Sequence, residues 1–147
     1  MSGPDANSTQ IHGTCVAVDG RAAVFIGASG TGKSATALRM VASGARLVAD
    51  DQVILTRKGD DIVATCPKGF AGLIEARGIG LLTVPHADTA IVDVIVDMEQ
   101  TELHRLPPER KNEILGLMIN IIYGRDNPVL EAGLMALLQT GRSEQVP

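Results

Sequence analysis

Residues 27–34 constrain this chain more than any other segment, because they fit the phosphate-binding loop pattern G-x-x-x-x-G-K-[ST] at every fixed position. The apolar run 22–26 before the segment predicts a buried strand, and residues 35–43 after it are typical of a helix. Between a strand and a helix, the backbone N–H groups of such a loop and the helix N-terminus face the same anion. The sequence therefore predicts a phosphate-binding loop (P-loop) over 27–34.

The fixed residue types of this loop each have a chemical role. Glycines let the backbone bend and approach a phosphate closely. Lys33 supplies a full positive charge for the β- and γ-phosphates of a nucleotide, and the hydroxyl of Ser34 is suited to Mg²⁺. The predicted nucleotide-binding residues are Gly27, Ala28, Ser29, Gly30, Thr31, Gly32, Lys33 and Ser34.

Composition excludes several classes of partner. The formal net charge of −4 leaves no basic surface for nucleic acid or for an anionic membrane. Aromatic residues make up 2% of the chain and Trp is absent, which argues against base stacking on single strands. No apolar run approaches the ~20 residues of a membrane span, and the first residues lack a secretory pattern. We expect a cytoplasmic protein in which Cys15 and Cys66 are reduced, packed thiols.

Strand and hairpin patterns outnumber helical ones along the chain. Asp19-Gly20 and residues 58–60 are hairpin signals, whereas 70–77 is predicted as a short helix. The apolar run 114–122 stays open between strand and helix, and 129–138 is typical of a C-terminal helix. We therefore predict an α/β fold with a mixed, partly antiparallel sheet, hairpins and one strand–P-loop–helix unit.

Two adjacent carboxylates are the first candidates for the chemistry beside the P-loop. Asp50 and Asp51 follow the short apolar strand 47–49, and a carboxylate at such a strand end can reach a metal ion or a nucleophile near the γ-phosphate. Adjacent strand residues point to opposite faces, so one carboxylate is expected to face the phosphates while the other supports the loop. A solvated turn is the alternative, since Asp is common there.

Four further polar residues are candidates with a structural alternative for each. In an extended segment the side chains of Glu75 and Arg77 project the same way. Glu75 could then help to bind Mg²⁺, and Arg77 could stabilise charge on a transferring phosphoryl group. The alternative is that both belong to a helix end capped by Gly78. His12 lies on the strand whose hairpin leads to the P-loop, and a structural histidine is the alternative. Arg105 is a candidate too, with an ordinary surface cation as the alternative.

Taken together, these segments resemble the catalytic domain of the HPr kinase/phosphorylase family. The combination is far more specific than a P-loop alone and extends from residue 11 to about residue 125. The matching elements, in the family's order, are Ile11-His12-Gly13, the P-loop, Arg46-Leu47-Val48-Ala49-Asp50-Asp51, Leu73-Ile74-Glu75-Ala76-Arg77-Gly78-Ile79-Gly80 and Gly124-Arg125.

The resemblance implies a bacterial serine protein kinase that uses ATP and Mg²⁺ to phosphorylate HPr, the phosphocarrier of the sugar phosphotransferase system. Many members also run phosphorolysis of the phosphoserine. Asp51 looks like the general base that takes the serine proton, and it would act as the general acid in the reverse reaction. The implied metal ligands are Ser34, Glu75 and Asp50, and the remaining catalytic positions are His12, Lys33, Arg105 and Arg77. Gly124-Arg125 looks like the family's C-terminal loop, linked to dephosphorylation.

The resemblance also has implications for the fold, the oligomeric state and the domain organisation of the chain. It implies a P-loop mixed sheet similar to that of phosphoenolpyruvate carboxykinases, and a homo-oligomer, since the family is typically hexameric. The chain resembles the short proteobacterial form that lacks an N-terminal domain. We expect a kinase catalytic domain over 10–140, a disordered segment over 1–9 and a flexible tail over 141–147.

Some residues depart from the family pattern. Ala45 stands where a histidine is usual, Tyr123 replaces the proline before Gly124, and the segment between Gly80 and Ala90 is short. These departures bear on the phosphorylase activity and on HPr docking more than on ATP binding. Two alternatives stay open: another phosphotransferase, either a small-molecule P-loop kinase or a carboxykinase-like enzyme, and a nucleotide-binding regulatory module without chemistry.

Overall fold

The computed structural model describes residues 7–142, which form nine strands and two helices. In chain order these are β1 (Ser8–Val18), β2 (Arg21–Ile26), α1 (Lys33–Ala42), β3 (Arg46–Lys58), β4 (Asp61–Thr65), β5 (Leu73–Ala76), β6 (Gly80–Thr83), β7 (Thr89–Asp97), β8 (Lys111–Ile114), β9 (Leu117–Tyr123) and α2 (Leu130–Thr140).

Seven strands form one mixed sheet in the order β2-β1-β3-β4-β7-β9-β8, and β2 also pairs with β7. That extra pairing closes β2, β1, β3, β4 and β7 into a ring. Neighbours pair antiparallel except at β2–β7 and β7–β9, which are parallel. The predicted α/β fold with a mixed, partly antiparallel sheet is confirmed.

Strand β2 is buried on both faces, and this explains its continuous apolar sequence. Successive side chains of a strand point to opposite sides of a sheet. Ala23 and Phe25 pack in the core beneath the helices, whereas Ala22 and Val24 belong to a second core on the other face. The strand that leads to the P-loop is thus anchored by two cores.

The two helices cover one face of the sheet. Helix α1 buries Ala37 and Met40, and α2 buries Leu130, Leu134 and Leu138 at a spacing of four residues, which places them on one face of the helix. The predicted C-terminal helix is confirmed, although it begins at Leu130. Both helices therefore belong to the packed fold.

Two segments correct or complete the sequence prediction. The helix predicted over 70–77 is wrong: Leu73–Ala76 pairs with Gly80–Thr83 as a separate hairpin, and the buried Ile74 and Ala76 follow the two-residue period of a strand. The ambiguous run 114–122 lies in the hairpin β8–β9, whose turn holds Leu115 and Gly116 at positive φ.

The chain ends fall partly outside the described residues, namely 1–6 and 143–147. Ser8 and Thr9, expected in the disordered segment 1–9, lie instead in β1 and pair with Thr56 and Leu55. Among the described residues, neither helix has the length and apolar character that a membrane crossing demands.

Both cysteines are free thiols, as expected. Cys15 is completely buried, and burial raises the pKa of its thiol far above the ordinary value. Burial also raises the pKa of the partly exposed Cys66. Both side chains are therefore neutral near pH 7 and serve packing.

Candidate active site

The P-loop connects the end of β2 to the start of α1 and depends on glycine at its first position. Gly27 has a φ of 138°, a conformation that L side chains rarely adopt. A Cβ atom there would lie 3.0 Å from Thr31 Oγ1 and 3.3 Å from Glu99 Cγ. Gly30 and Gly32 also have positive φ, at 88° and 93°. The bend therefore requires glycine by both conformation and space.

Lys33 holds its ammonium group against the P-loop backbone. Its Nζ donates hydrogen bonds to the carbonyl oxygens of Gly27 at 2.7 Å and Ala28 at 3.0 Å. The residue is only 6% exposed, so its charge is confined to the loop. Thr31 Oγ1 donates to the same Ala28 carbonyl at 2.8 Å and tightens the turn. A full positive charge, loop N–H groups and a helix N-terminus therefore meet here, which suits a polyphosphate.

Asp50 connects the P-loop helix to two strands. The hydroxyls of Thr14 and Ser34 donate to the same atom, Asp50 Oδ1, at 2.7 and 2.8 Å. Thr14 is fully buried on β1, and Ser34 lies in the first turn of α1. These oxygens are of the kind that Mg²⁺ prefers, and they converge beside the phosphate loop.

Asp51 points away from this cluster and pairs with His12. Its Oδ1 lies 2.7 Å from His12 Nε2, and its side chain is 72% exposed. Asp51 has a φ of 109°, which is uncommon for a residue with a side chain. The adjacent carboxylates thus face different surroundings: Asp50 binds the P-loop helix, and Asp51 is open to an incoming molecule.

The close approach of β1 to the end of β2 requires a glycine at position 13, directly after His12. In the ladder between β1 and β3, Gly13 is the partner of Asp51. A Cβ on Gly13 would lie 2.8 Å from the backbone oxygen of Phe25, closer than real Cβ atoms approach. The small residue lets β1 and its His12 pass close to the end of β2, where the P-loop begins.

Glu75 and Arg77 lie outside the cluster formed by Asp50, Asp51 and their partners. Strand β5, which carries Glu75, packs against α1 and β3, but Glu75 is exposed and Arg77 lies in the exposed turn that follows. Between residues 7 and 142, no three His, Cys, Asp or Glu side chains gather into a group that could hold a metal ion. The roles of Glu75 in metal binding and of Arg77 in catalysis stay predictions.

Arg105 lies in a loop between β7 and β8 that is closed by an ion pair. Glu102 accepts hydrogen bonds from both terminal nitrogens of Arg110, and the guanidinium lies 4.2 Å from the ring centre of Tyr123. Burial raises the pKa of Glu102, but the hydrogen bonds from Arg110 and His104 and the Arg110 charge together hold it below its usual value. Arg105 itself is exposed, and its catalytic role stays a prediction.

Two acidic residues beside the P-loop were missed by sequence reasoning. Asp97 ends β7 and is the parallel partner of Ile26, the last residue of β2, while Glu99 approaches Gly27. Strand ends that point the same way meet at one edge of a sheet, where α/β proteins bind ligands. The Val- and Ile-rich strand pattern over 90–96 is the available signal, but it indicates the P-loop edge only once β7 is known to lie beside β2.

Comparisons with known proteins show the family to which the chain belongs. The profile of the HPr Serine kinase C-terminal domain matches residues 5–123. A HPr kinase/phosphorylase of Exiguobacterium sibiricum is 49% identical over 80 residues, covering 54% of this chain and 26% of that protein. The one of Prosthecochloris aestuarii is 36% identical over 132 residues, covering 81% and 39%. The chain thus spans well under half the length of these relatives.

A solved structure supports the fold. The Hpr(Ser) kinase/phosphatase of Coxiella burnetii superposes with a TM-score of 0.76, covering 89% of this chain and 88% of that chain at 23% sequence identity. The sequence resemblance is therefore confirmed by the family profile and the architecture by the superposition: the chain belongs to the HPr serine kinase C-terminal domain family.

Proposed function

We propose that the chain is the catalytic domain of an ATP- and Mg²⁺-dependent serine protein kinase that phosphorylates HPr. The observation that carries the proposal is the position of two carboxylates beside one P-loop. Asp50 contacts Ser34 of the P-loop helix, and the neighbouring Asp51 is exposed and paired with His12. The names of the matched relatives, HPr kinase/phosphorylase, support HPr as the substrate.

The phosphates of ATP fit the P-loop by charge and by hydrogen-bond donors. Lys33 and the N–H groups at the start of α1 would hold them and offset the negative charge of the transferring group. The hydroxyl of Ser34 and the carboxylate of Asp50 offer oxygen ligands 2.8 Å apart, which suits Mg²⁺. When bound, this ion would neutralise phosphate charge; Glu75 is the further ligand that the family resemblance implies.

Asp51 is proposed to accept the proton of the substrate serine. A neutral alcohol is a weak nucleophile, so a carboxylate within hydrogen-bond distance raises its reactivity during attack. The exposure of Asp51 lets a serine on a protein surface reach it, and His12 fixes the orientation of the carboxylate. In the reverse reaction the protonated Asp51 would return the proton to the serine oxygen, and inorganic phosphate would accept the phosphoryl group.

The decisive experiment incubates the purified chain with labelled ATP, Mg²⁺ and HPr. We expect label on a serine of HPr, and an initial labelling rate ~10²–10⁴-fold lower when Asp51→Asn is used. Binding of ATP without transfer to HPr would contradict the proposal and favour a regulatory module; transfer to a small molecule alone would favour a small-molecule kinase. The same assay with phosphoserine-HPr and inorganic phosphate tests the phosphorylase reaction.

We also propose that the protein forms a homo-oligomer and acts in the cytoplasm. The hairpin β5–β6 exposes two large apolar side chains, Ile79 and Leu81, and exposed apolar surface of this kind is typical of contact sites between proteins. Light scattering of the purified chain tests the oligomer: we expect a mass several times that of the 15.4 kDa chain.

A further inference from the structure

Strands β1 and β3 continue together beyond the strand that leads to the P-loop. The pairing of β1 with β2 stops at Thr14 and Phe25, whereas the pairing of β1 with β3 runs on to Ser8 and Thr56. Residues 8–13 of β1 and 51–56 of β3 therefore form a two-stranded extension, called here the outer ribbon. His12 and Asp51 lie at its inner end, and its other polar residues have been given no role above.

One face of the outer ribbon carries two glutamines beside the His12–Asp51 pair. Gln52 is the ladder partner of His12, and Gln10 precedes His12 by two residues, so all three side chains lie on the same face. All three are exposed. Because His12 Nε2 lies 2.7 Å from Asp51 Oδ1, this row of side chains begins directly beside the proposed general base.

The two side-chain amides are only weakly engaged with each other. Gln10 Nε2 donates to Gln52 Oε1 at 3.4 Å, which is longer than the ~2.7–3.2 Å of an ordinary hydrogen bond. An amide has two N–H donors and a carbonyl acceptor. The side-chain hydrogen bonds of the described residues use neither the carbonyl oxygen of Gln10 nor the amide nitrogen of Gln52. The pair therefore offers both an acceptor and a donor to an incoming molecule.

We propose that Gln10 and Gln52 bind the main chain of the substrate segment that carries the phosphorylated serine. This inference rests on the proposed function, in which Asp51 takes the proton of that serine. The serine oxygen must then come within ~2.6–3.2 Å of the carboxylate. Gln10 lies ~7 Å along β1 from His12. A substrate chain advances by at most ~3.3–3.6 Å per residue, so the amides face the one or two residues next to the serine.

The chemistry of the row suits main-chain groups better than charged side chains. A glutamine amide carries the same donor and acceptor types as a peptide group, so it can pair with a free N–H and a free C=O. Neither stretch of the outer ribbon, 8–13 or 51–56, contains Lys or Arg. The row therefore has no cation to attract acidic neighbours of the serine, and we expect it to select a serine whose adjoining main-chain groups are free.

Steady-state kinetics with varied HPr and ATP test the assignment. The double variant Gln10→Met and Gln52→Met keeps the length of both side chains and removes their hydrogen-bonding groups. We expect its KM for HPr to rise about tenfold, while kcat and the KM for ATP stay within about twofold of wild type. Gln139→Met is the matched control, since Gln139 is an exposed glutamine on α2, and it should leave all three constants unchanged.

A second substrate separates main-chain from side-chain recognition. In this HPr variant the residues on both sides of the labelled serine are replaced by Ala, which leaves the main chain in place. The tenfold effect of the double variant should persist with this substrate. If the effect disappears, the glutamines bind side chains and the assignment is wrong.

Two kinetic results with ordinary HPr would also overturn the inference. An unchanged KM for HPr would mean that the amides make no contact with the substrate. A fall in kcat at constant KM would mean that they support the His12–Asp51 pair instead. If circular dichroism shows that the double variant is unfolded, the two single variants are measured separately. A wild-type chain that labels no serine of HPr would overturn the proposed function, whereas normal wild-type labelling with an unaffected variant overturns this inference alone.

Discussion

His12 Nε2 lies 2.7 Å from Asp51 Oδ1, and this contact joins neighbouring strands β1 and β3 beside the P-loop. The imidazole occupies one carboxylate oxygen and leaves the rest of an exposed carboxylate available. A carboxylate whose orientation is fixed in this way is suited to taking a proton from an alcohol. In the proposed mechanism Asp51 and His12 therefore have different, separable roles.

Asp51→Asn should abolish proton acceptance and keep nucleotide binding. Removal of a general base typically slows a reaction ~10²–10⁴-fold. We expect a loss in kcat of this size for HPr phosphorylation. The ATP dissociation constant should stay within about twofold of the wild-type value, because no hydrogen bond among the described residues joins Asp51 to the P-loop or to α1. Wild-type turnover in the variant would exclude the assigned role.

His12 should act on the rate through Asp51. His12→Leu removes the donor that orients the carboxylate, and a misplaced reacting group costs about 10²-fold. His12→Gln keeps a donor and should recover part of the loss. Steady-state assays with varied ATP and HPr measure both variants; equal rates for Leu and Gln would argue against an orienting hydrogen bond.

Thr14→Val should lower stability because it deletes a buried hydrogen bond to a charged group. Thr14 is fully buried, and its hydroxyl donates to Asp50 at 2.7 Å. Hydrogen bonds to charged groups contribute about 1.5–3 kcal/mol, so we expect the free energy of unfolding to fall by that amount. Urea denaturation measures it. Thr56→Val on β3 is a control, because its hydroxyl hydrogen-bonds to the neutral hydroxyl of Ser8 and not to a carboxylate.

Two glycine-to-alanine changes should shift stability in opposite directions. The Cβ of Gly13→Ala would meet the Phe25 carbonyl oxygen at 2.8 Å, and forced repacking costs about 1–3 kcal/mol. Gly133 lies within α2 with open space around its Cβ position, so Gly133→Ala should add about 0.5–1 kcal/mol through better helix propensity. Thermal unfolding of the two variants compares them directly; a neutral Gly13→Ala would mean that β1 and β2 separate easily.

The ion pair of Glu102 with Arg110 should open at low pH. The pKa of Glu102 is held below its usual value in the folded protein. The ion pair therefore stabilises the loop at pH values above the ordinary carboxyl pKa, and this stabilisation is lost as the pH falls through the lowered pKa of Glu102. Tyr123 is the only Tyr in a chain without Trp, and it lies under the Arg110 guanidinium, so its fluorescence reports the opening. We expect an acid transition in the wild type that is missing in Glu102→Gln, while far-UV circular dichroism stays unchanged over the same range.

Sequence reasoning predicts those parts of the candidate site that depend on residues close together in the chain. The P-loop and the division between Asp50 and Asp51 follow from a local motif and from strand alternation. Residues 70–77 were assigned to the wrong structure because four strand residues are too short a run to show a period of two. Asp97 was missed because its place beside the P-loop depends on the order of strands in the sheet.

Closure of β2, β1, β3, β4 and β7 into a ring has a consequence for how the protein moves. Each of these strands has hydrogen-bonded neighbours on both sides, so none can slide or peel away without breaking two ladders at once. Any movement that accompanies the proposed nucleotide binding is therefore expected in the connecting segments. In hydrogen–deuterium exchange, the amides of the ring should be the slowest to exchange, and those of residues 99–110 among the fastest.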